Sequence, residues 1–210
     1  MRIDLNADNA RKAENGGSQR IDSTGAYVGT FTKARKVTAK SGTVGIEFEF
    51  VDASEASADY LTIYTHKADG TPIYGLNHIN ALMACLRLCS IESGTVKVEL
   101  WDSVAKQRVP TQVEGFPDLM NKPIGVVFQM EEYITNSGET RQRPVMVGFF
   151  DPHSRLMASE ILDKKVKPEA LDKFLGRLVP VKKANASNGY MPQNAQPASA
   201  PDMPSDDIPF

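Results

Sequence analysis

The sequence is poor in the residues that most directly announce chemistry. Its 210 residues include two cysteines, three histidines and one tryptophan. Cys85 and Cys89 stand four apart in an apolar helical pattern. A disulfide framework or a zinc site would need more ligands at other spacings, so both thiols are expected as reduced core residues of a cytoplasmic protein. His66, His78 and His153 are scattered, no Ser, Cys or carboxylate falls in a recognisable catalytic pattern, and no glycine-rich phosphate loop is present. Glu131 and Glu132 are neighbours on one strand, hence on opposite faces, and cannot share a proton or a metal. Neither an enzyme nor a cofactor is therefore expected. An apolar run of about 18 residues is missing, as is a signal-peptide pattern after Met1-Arg2-Ile3-Asp4, which predicts a soluble, non-secreted protein with no membrane partner. There is also no excess of positive charge: 24 Lys and Arg against 26 Asp and Glu leave a net charge of -2. That excludes wholesale, histone-like attraction to nucleic acid and confines any such site to a patch.

A patch of this kind is present between Ser23 and Lys67. Between Asp22 and Glu47 the chain carries Lys33, Arg35, Lys36 and Lys40 and no acidic residue. Tyr27 to Val37 alternates small or apolar side chains with aromatic or cationic ones, as a strand with two unlike faces does. Lys40-Ser41-Gly42 is a turn signal, and Thr43 to Val51 alternates again, with Val44, Ile46, Phe48 and Phe50 on one side and Glu47 and Glu49 on the other. Asp59 to His66 reads as a third strand, Leu61 and Ile63 inward, Tyr60, Thr62, Tyr64 and His66 outward. Basic side chains track phosphates and exposed rings stack on unpaired bases. Lys33, Arg35 and Lys36 are thus candidate phosphate contacts, and Tyr27, Phe31, Tyr60 and Tyr64 candidate stacking rings. The alternative is an edge strand kept from aggregating by its lysines. Arg141 and Arg143, like Lys106 and Arg108, lie near hairpin tips and either extend the groove or belong to solvated loops. Trp101 is either a platform or a plug, with the core reading preferred.

Residues 1–22 form an irregular lead-in, and residues 23–179 carry the periodic elements. After the three strands, Asp69-Gly70 can fold Thr71 to Tyr74 back on the third strand. Leu76, Ile79, Leu82, Met83 and Leu86 give an amphipathic helix over Asn77 to Cys89, capped by Asn77. A hairpin inserted from Val96 through Val109 and a proline-opened turn at Phe116 to Met120 precede long strands at Ile124 to Ile134 and Pro144 to Asp151. A last helix opens at Pro168, shows Leu171, Phe174, Leu175 and Leu178, and stops at Pro180. Three strands, a helix and two strands is the order of the five-stranded oligonucleotide-binding (OB) barrel. The expected fold is therefore mainly β: an OB barrel with a helix between strands 3 and 4, an inserted hairpin, a C-terminal helix and a disordered acidic tail. Residues 180–210 form that tail, a polar linker ending in Asp206-Asp207-Ile208-Pro209-Phe210.

This ending resembles the acidic tip of bacterial single-stranded-DNA-binding proteins, a run of aspartates followed by Ile-Pro-Phe. Here two aspartates follow Ser205, a shorter run than in that family. The segments Gly25-Ala26-Tyr27-Val28-Gly29, Thr32-Lys33-Ala34-Arg35-Lys36, Asn80-Ala81-Leu82-Met83-Ala84-Cys85-Leu86-Arg87 and Leu119-Met120-Asn121-Lys122-Pro123-Ile124-Gly125 resemble those of the single-stranded-DNA-binding proteins of tailed bacteriophages. The resemblance implies sequence-nonspecific binding of single-stranded DNA during phage replication, recombination and repair, in the cytoplasm of the host bacterium. It further implies that Ile208, Pro209 and Phe210 anchor in an apolar pocket of partner replication, recombination or repair proteins, guided by Asp206 and Asp207. The long insertion favours a monomer or homodimer over the bacterial tetramer. The opposite charges of tip and basic stretch predict that the tip competes with DNA. An adaptor that binds proteins through the tip, with a barrel that does not bind DNA, is the rival.

Overall fold

A computed structural model describes residues 20–135 and 137–183. Eight strands share one sheet: β1 Gly25–Thr38, β2 Val44–Asp52, β3 Ser57–His66, β4 Gly94–Asp102, β5 Gln107–Gly115, β6 Pro123–Ile134, β7 Thr140–Phe150 and β8 Val181–Lys182. Among the described residues three helices accompany them, α1 Gly75–Cys85, α2 Ala158–Leu162 and α3 Ala170–Leu175, with a 3-10 turn at Pro117–Leu119. The order along one path is β3-β2-β1-β5-β4, while β6 pairs with β1, β7 and β8. Every long ladder is antiparallel; only the two-residue β8 runs parallel to β6. The mainly β expectation is met. The sheet is open where a barrel would close, because no ladder joins β3 to β7.

The long strand β1 holds this sheet together. Gly25 to Thr30 pair with β6, Gly29 to Thr38 with β2, and Arg35 with Gly115 of β5. It changes partners through a bulge: the β2 register shifts between Phe31 and Lys33, leaving Thr32 extra. A bulge bends a strand and reverses which face later residues occupy. Phe31 therefore faces inward with Phe50 opposite, while Lys33 and Arg35, two and four residues on, face outward opposite Glu49 and Glu47.

Two apolar layers follow from β6, whose residues Ile124 to Met130 are all buried. Ile124, Val126 and Phe128 join Phe31, Phe48 and Phe50 and the α1 residues Ile79, Leu82 and Cys85 in the main core. Val127 points the other way and packs with Phe150 and Leu171 beneath the C-terminal helices. Gly125 is required here, since a Cβ at that position would run into the Phe150 ring. The stripe Leu171, Phe174, Leu175 and Leu178 is on that second core as expected.

Several boundaries differ from expectation. Helix α1 begins at Gly75, with Tyr74 rather than Asn77 at its cap, and ends before Arg87, whose φ of 58 breaks the spiral. Cys89 consequently lies outside the helix and is exposed, whereas Cys85 is buried. The last helix is shorter than expected and is preceded by α2. The supposed lead-in is ordered at its end, where Ile21 is buried and its N–H donates to the Ser57 carbonyl at 3.0 Å. Strand β8 extends the folded region past 179. The tip residues Asp206 to Phe210 lie outside the described residues. Among the described residues no helix is long and apolar enough to cross a membrane.

Candidate nucleic-acid interface

The outer face of β1–β3 carries a chain of charges assembled by register. The hairpin turning at Lys40-Ser41-Gly42 sets Arg35 opposite Glu47 and Lys33 opposite Glu49. Arg35 grips Glu47 with two parallel bonds, its Nε donating to Oε1 at 2.8 Å and its Nη2 to Oε2 at 3.0 Å. Lys33 Nζ lies 3.0 Å from the same Oε1 and 3.5 Å from Glu49 Oε2. Arg108, arriving from β5, donates from Nη1 to Glu49 at 2.8 Å and from Nη2 to Asp59 at 2.7 Å. Three cations thus alternate with three carboxylates across four strands.

Burial sets the energetics of this chain. Lys33 is 4% exposed and Glu47 0%. Burial alone would raise the pKa of Glu47, but the bond from Arg35 and the charges of Lys33 and Arg35 outweigh it and hold the carboxyl below its ordinary value. For Arg108 burial acts against the charge, and the bond and charge of Glu49 together with Asp59 override it, so its pKa is raised. Charge pairs shut from water in this way are costly to break, because the survivor is left buried and unpaired.

Above the network stands Tyr60. The β2–β3 register shifts between Phe48 and Phe50, so that Glu49 faces both Asp59 and Tyr60, a second bulge. There Tyr60 adopts φ 59, the left-handed region, where a bulky residue is strained by about 1–2 kcal/mol. The bulge turns the ring outward, 50% exposed, with Lys33 Nζ 5.3 Å from its centroid. Further along β3, Tyr64 is half-buried opposite Gly45, where any Cβ would come within 3.0 Å of Tyr64 Cδ1. The absence of a side chain at 45 makes room for that ring.

The expected contacts therefore divide. Phe31 is fully buried, in ring contact with Phe48 and Phe50 at 4.7 and 5.7 Å, and cannot stack on a base. Tyr27, on the same side of the bulge, packs edge-on to Phe128 at 5.7 Å, and its hydroxyl donates to the Ser23 carbonyl at 2.9 Å. Strict alternation had placed both with Lys33; the extra residue Thr32 separates them. Lys33 and Arg35, expected as phosphate contacts, are held by carboxylates, and Lys36 Nζ is 2.9 Å from Glu114 on β5. Arg141 pairs with Glu139 at 2.8 Å, and Arg143 lies over the Tyr133 ring at 5.5 Å. Both arginines sit on the β6–β7 ribbon beyond Phe128, where β6 has left β1, so the fold does not bring them to the network.

Trp101 was missed. It is 56% exposed, contrary to the core expectation, and pairs across the β4–β5 hairpin with Arg108. The signals were present: alternation from Val96, Val98 and Leu100 puts Trp101 on the opposite face from those apolar residues, and counting back from the 40–42 turn sets the basic run against Glu47 and Glu49. Among the described residues no group of three or more His, Cys, Asp or Glu is placed to hold a metal. Compared with known proteins, the chain matches no family model and no curated protein.

Proposed function

We propose that this protein binds single-stranded DNA without sequence preference on the outer face of β1–β3, protecting it during phage replication and recombination. Tyr60, Tyr64 and Trp101 are the stacking rings in this reading, and Asp206 to Phe210 recruit partner replication, recombination and repair proteins. The observation that carries it is Tyr60: a tyrosine kept in a strained backbone conformation that puts its ring into solvent over a buried cation. Folding alone would favour Gly or Asn there. The order of elements supports an OB architecture built from β1, β2, β3, β6 and β7. Helix α1 follows the third of these, β4–β5 is an insertion, and β3 and β7 approach within 8 Å, Cα to Cα, as the seam of a barrel would.

A second reading, a protein-binding adaptor, draws on the pairing of Lys33, Arg35 and Lys36 with carboxylates, which reduces the positive charge offered to phosphates. Anisotropy of a labelled oligo-dT of about 30 nucleotides against duplex of the same length separates the two. Single-strand preference that falls with salt supports the first; no binding at physiological salt sinks it and leaves the adaptor.

A further inference from the structure

The β4–β5 hairpin joins the sheet through one register pair at its base, Arg35 with Gly115. Continued along β1, that register would carry Arg108 past Thr38, where β1 ends. The ribbon instead leads Arg108 back to Glu49 on β2 and Asp59 on β3. Both terminal nitrogens of the guanidinium are committed to these carboxylates, so Arg108 is not a free phosphate donor. Its cross-strand partner is Trp101, whose Cβ therefore lies about 5 Å away on the same face. Asp59, the other end of the tie, is the residue before the strained Tyr60.

We propose that Arg108 is a positioning residue: by tying β5 to Glu49 and Asp59 it holds Trp101 beside Tyr60, so that the two rings form one stacking surface. This rests on the reading of that face as a single-strand site. A planar guanidinium can bridge two carboxylates on neighbouring strands, whereas a lysine offers a single point of charge. Without the tie the outer half of the hairpin loses its ion pairs to β2 and β3, and Trp101 loses its fixed place relative to Tyr60.

The full chain tests this, because Trp101 is its one tryptophan and its emission reports on the hairpin alone. In the ligand-free protein, Arg108→Ala should raise acrylamide quenching of Trp101 and lower its emission anisotropy, with Arg108→Lys intermediate and the circular dichroism spectrum unchanged. Against labelled oligo-dT, Trp101→Ala should weaken binding about tenfold and Arg108→Ala by nearly as much. The double variant should be no weaker than Trp101→Ala, since both changes remove the same ring's contribution. Unchanged Trp101 quenching in Arg108→Ala overturns the tie, whatever happens with DNA. A double variant whose loss is the product of the two singles overturns it as well, making Arg108 an independent contact. If quenching changes but the wild type binds no oligonucleotide, the single-strand reading fails, and with it the positioning role; Arg108 is then only a staple of the fold.

Discussion

Two glutamates in different regions are shut from solvent by different means. Glu47, on the outer sheet face, is neutralised by side chains, Lys33 and Arg35. Glu160, 1% exposed among the C-terminal helices, is held chiefly by backbone, with the charge of Lys165 adding to it: Oε1 accepts from the N–H groups of Glu169 and Ala170 at 2.8 and 2.9 Å, and Oε2 from that of Met157 at 3.1 Å. Each is pulled below its ordinary pKa against the opposing effect of burial. Glu160 staples the starts of α2 and α3 to one another through backbone groups. The network around Glu47 keeps a partly exposed cation, Arg35 at 27%, on the outer sheet face, whereas the hydrogen bonds of the Glu160 staple offer none.

The largest effect expected from breaking this contrast is at Glu47. Glu47→Gln leaves buried Lys33 with Glu49, at 3.5 Å, as its carboxylate partner, and should cost about 3 kcal/mol in denaturant unfolding. The same change makes the face net positive, so oligo-dT should bind more tightly and with a steeper salt slope. Glu160→Gln should cost less, about 2 kcal/mol, by replacing a charged acceptor of three N–H groups with a neutral amide. It should leave oligonucleotide binding untouched; altered binding there would erase the distinction between the two regions.

Acid gives a second comparison. Both carboxyls sit below the ordinary value of 4.5 in the folded chain, so their stabilisation is complete above pH 4.5 and is lost as pH falls through the folded values. Melting temperatures recorded from pH 7 downward should fall most steeply below that point in the wild type. The fall should be shallower in the two Gln variants. A wild-type curve that stays flat to pH 3 would contradict the assigned shifts.

A smaller effect separates strain from packing. Tyr60→Gly removes a side chain from a left-handed position and should raise stability by about 1 kcal/mol while weakening oligo-dT binding about tenfold. A loss of stability would mean that Tyr60 serves the fold. The smallest effect is expected at the exposed Lys36–Glu114 pair: Lys36→Ala should leave the melting temperature unchanged, and if Lys36 trades Glu114 for phosphate, the salt slope of binding should drop by about 0.9.

The strands of the outer face were legible because period-two alternation survives wherever the ladder is regular, as at Ile46, Phe48 and Phe50, and at Leu61 and Ile63, all buried as expected. It failed at the bulges. One extra residue at Thr32 sends Tyr27 and Phe31 to the core side and Lys33 and Arg35 to the other, and nothing in local composition marks that position. The end of α1 at Arg87 was equally hidden, because a left-handed arginine gives no glycine signal.

By itself the sequence determined what depends on neighbours along the chain: the strands and their turns, the amphipathic α1, the apolar stripe of α3, and a basic run confined to one stretch. Only the tertiary structure decided which charges meet. Lys33, Arg35 and Lys36 look free when read in order, but cross-strand register sets them against Glu47, Glu49 and Glu114. The same crossing of the β4–β5 ribbon that leaves Trp101 exposed brings Arg108 to Asp59. Charge is additive along a sequence, but its effect depends on distance and burial, and those are set by residues far apart in the chain.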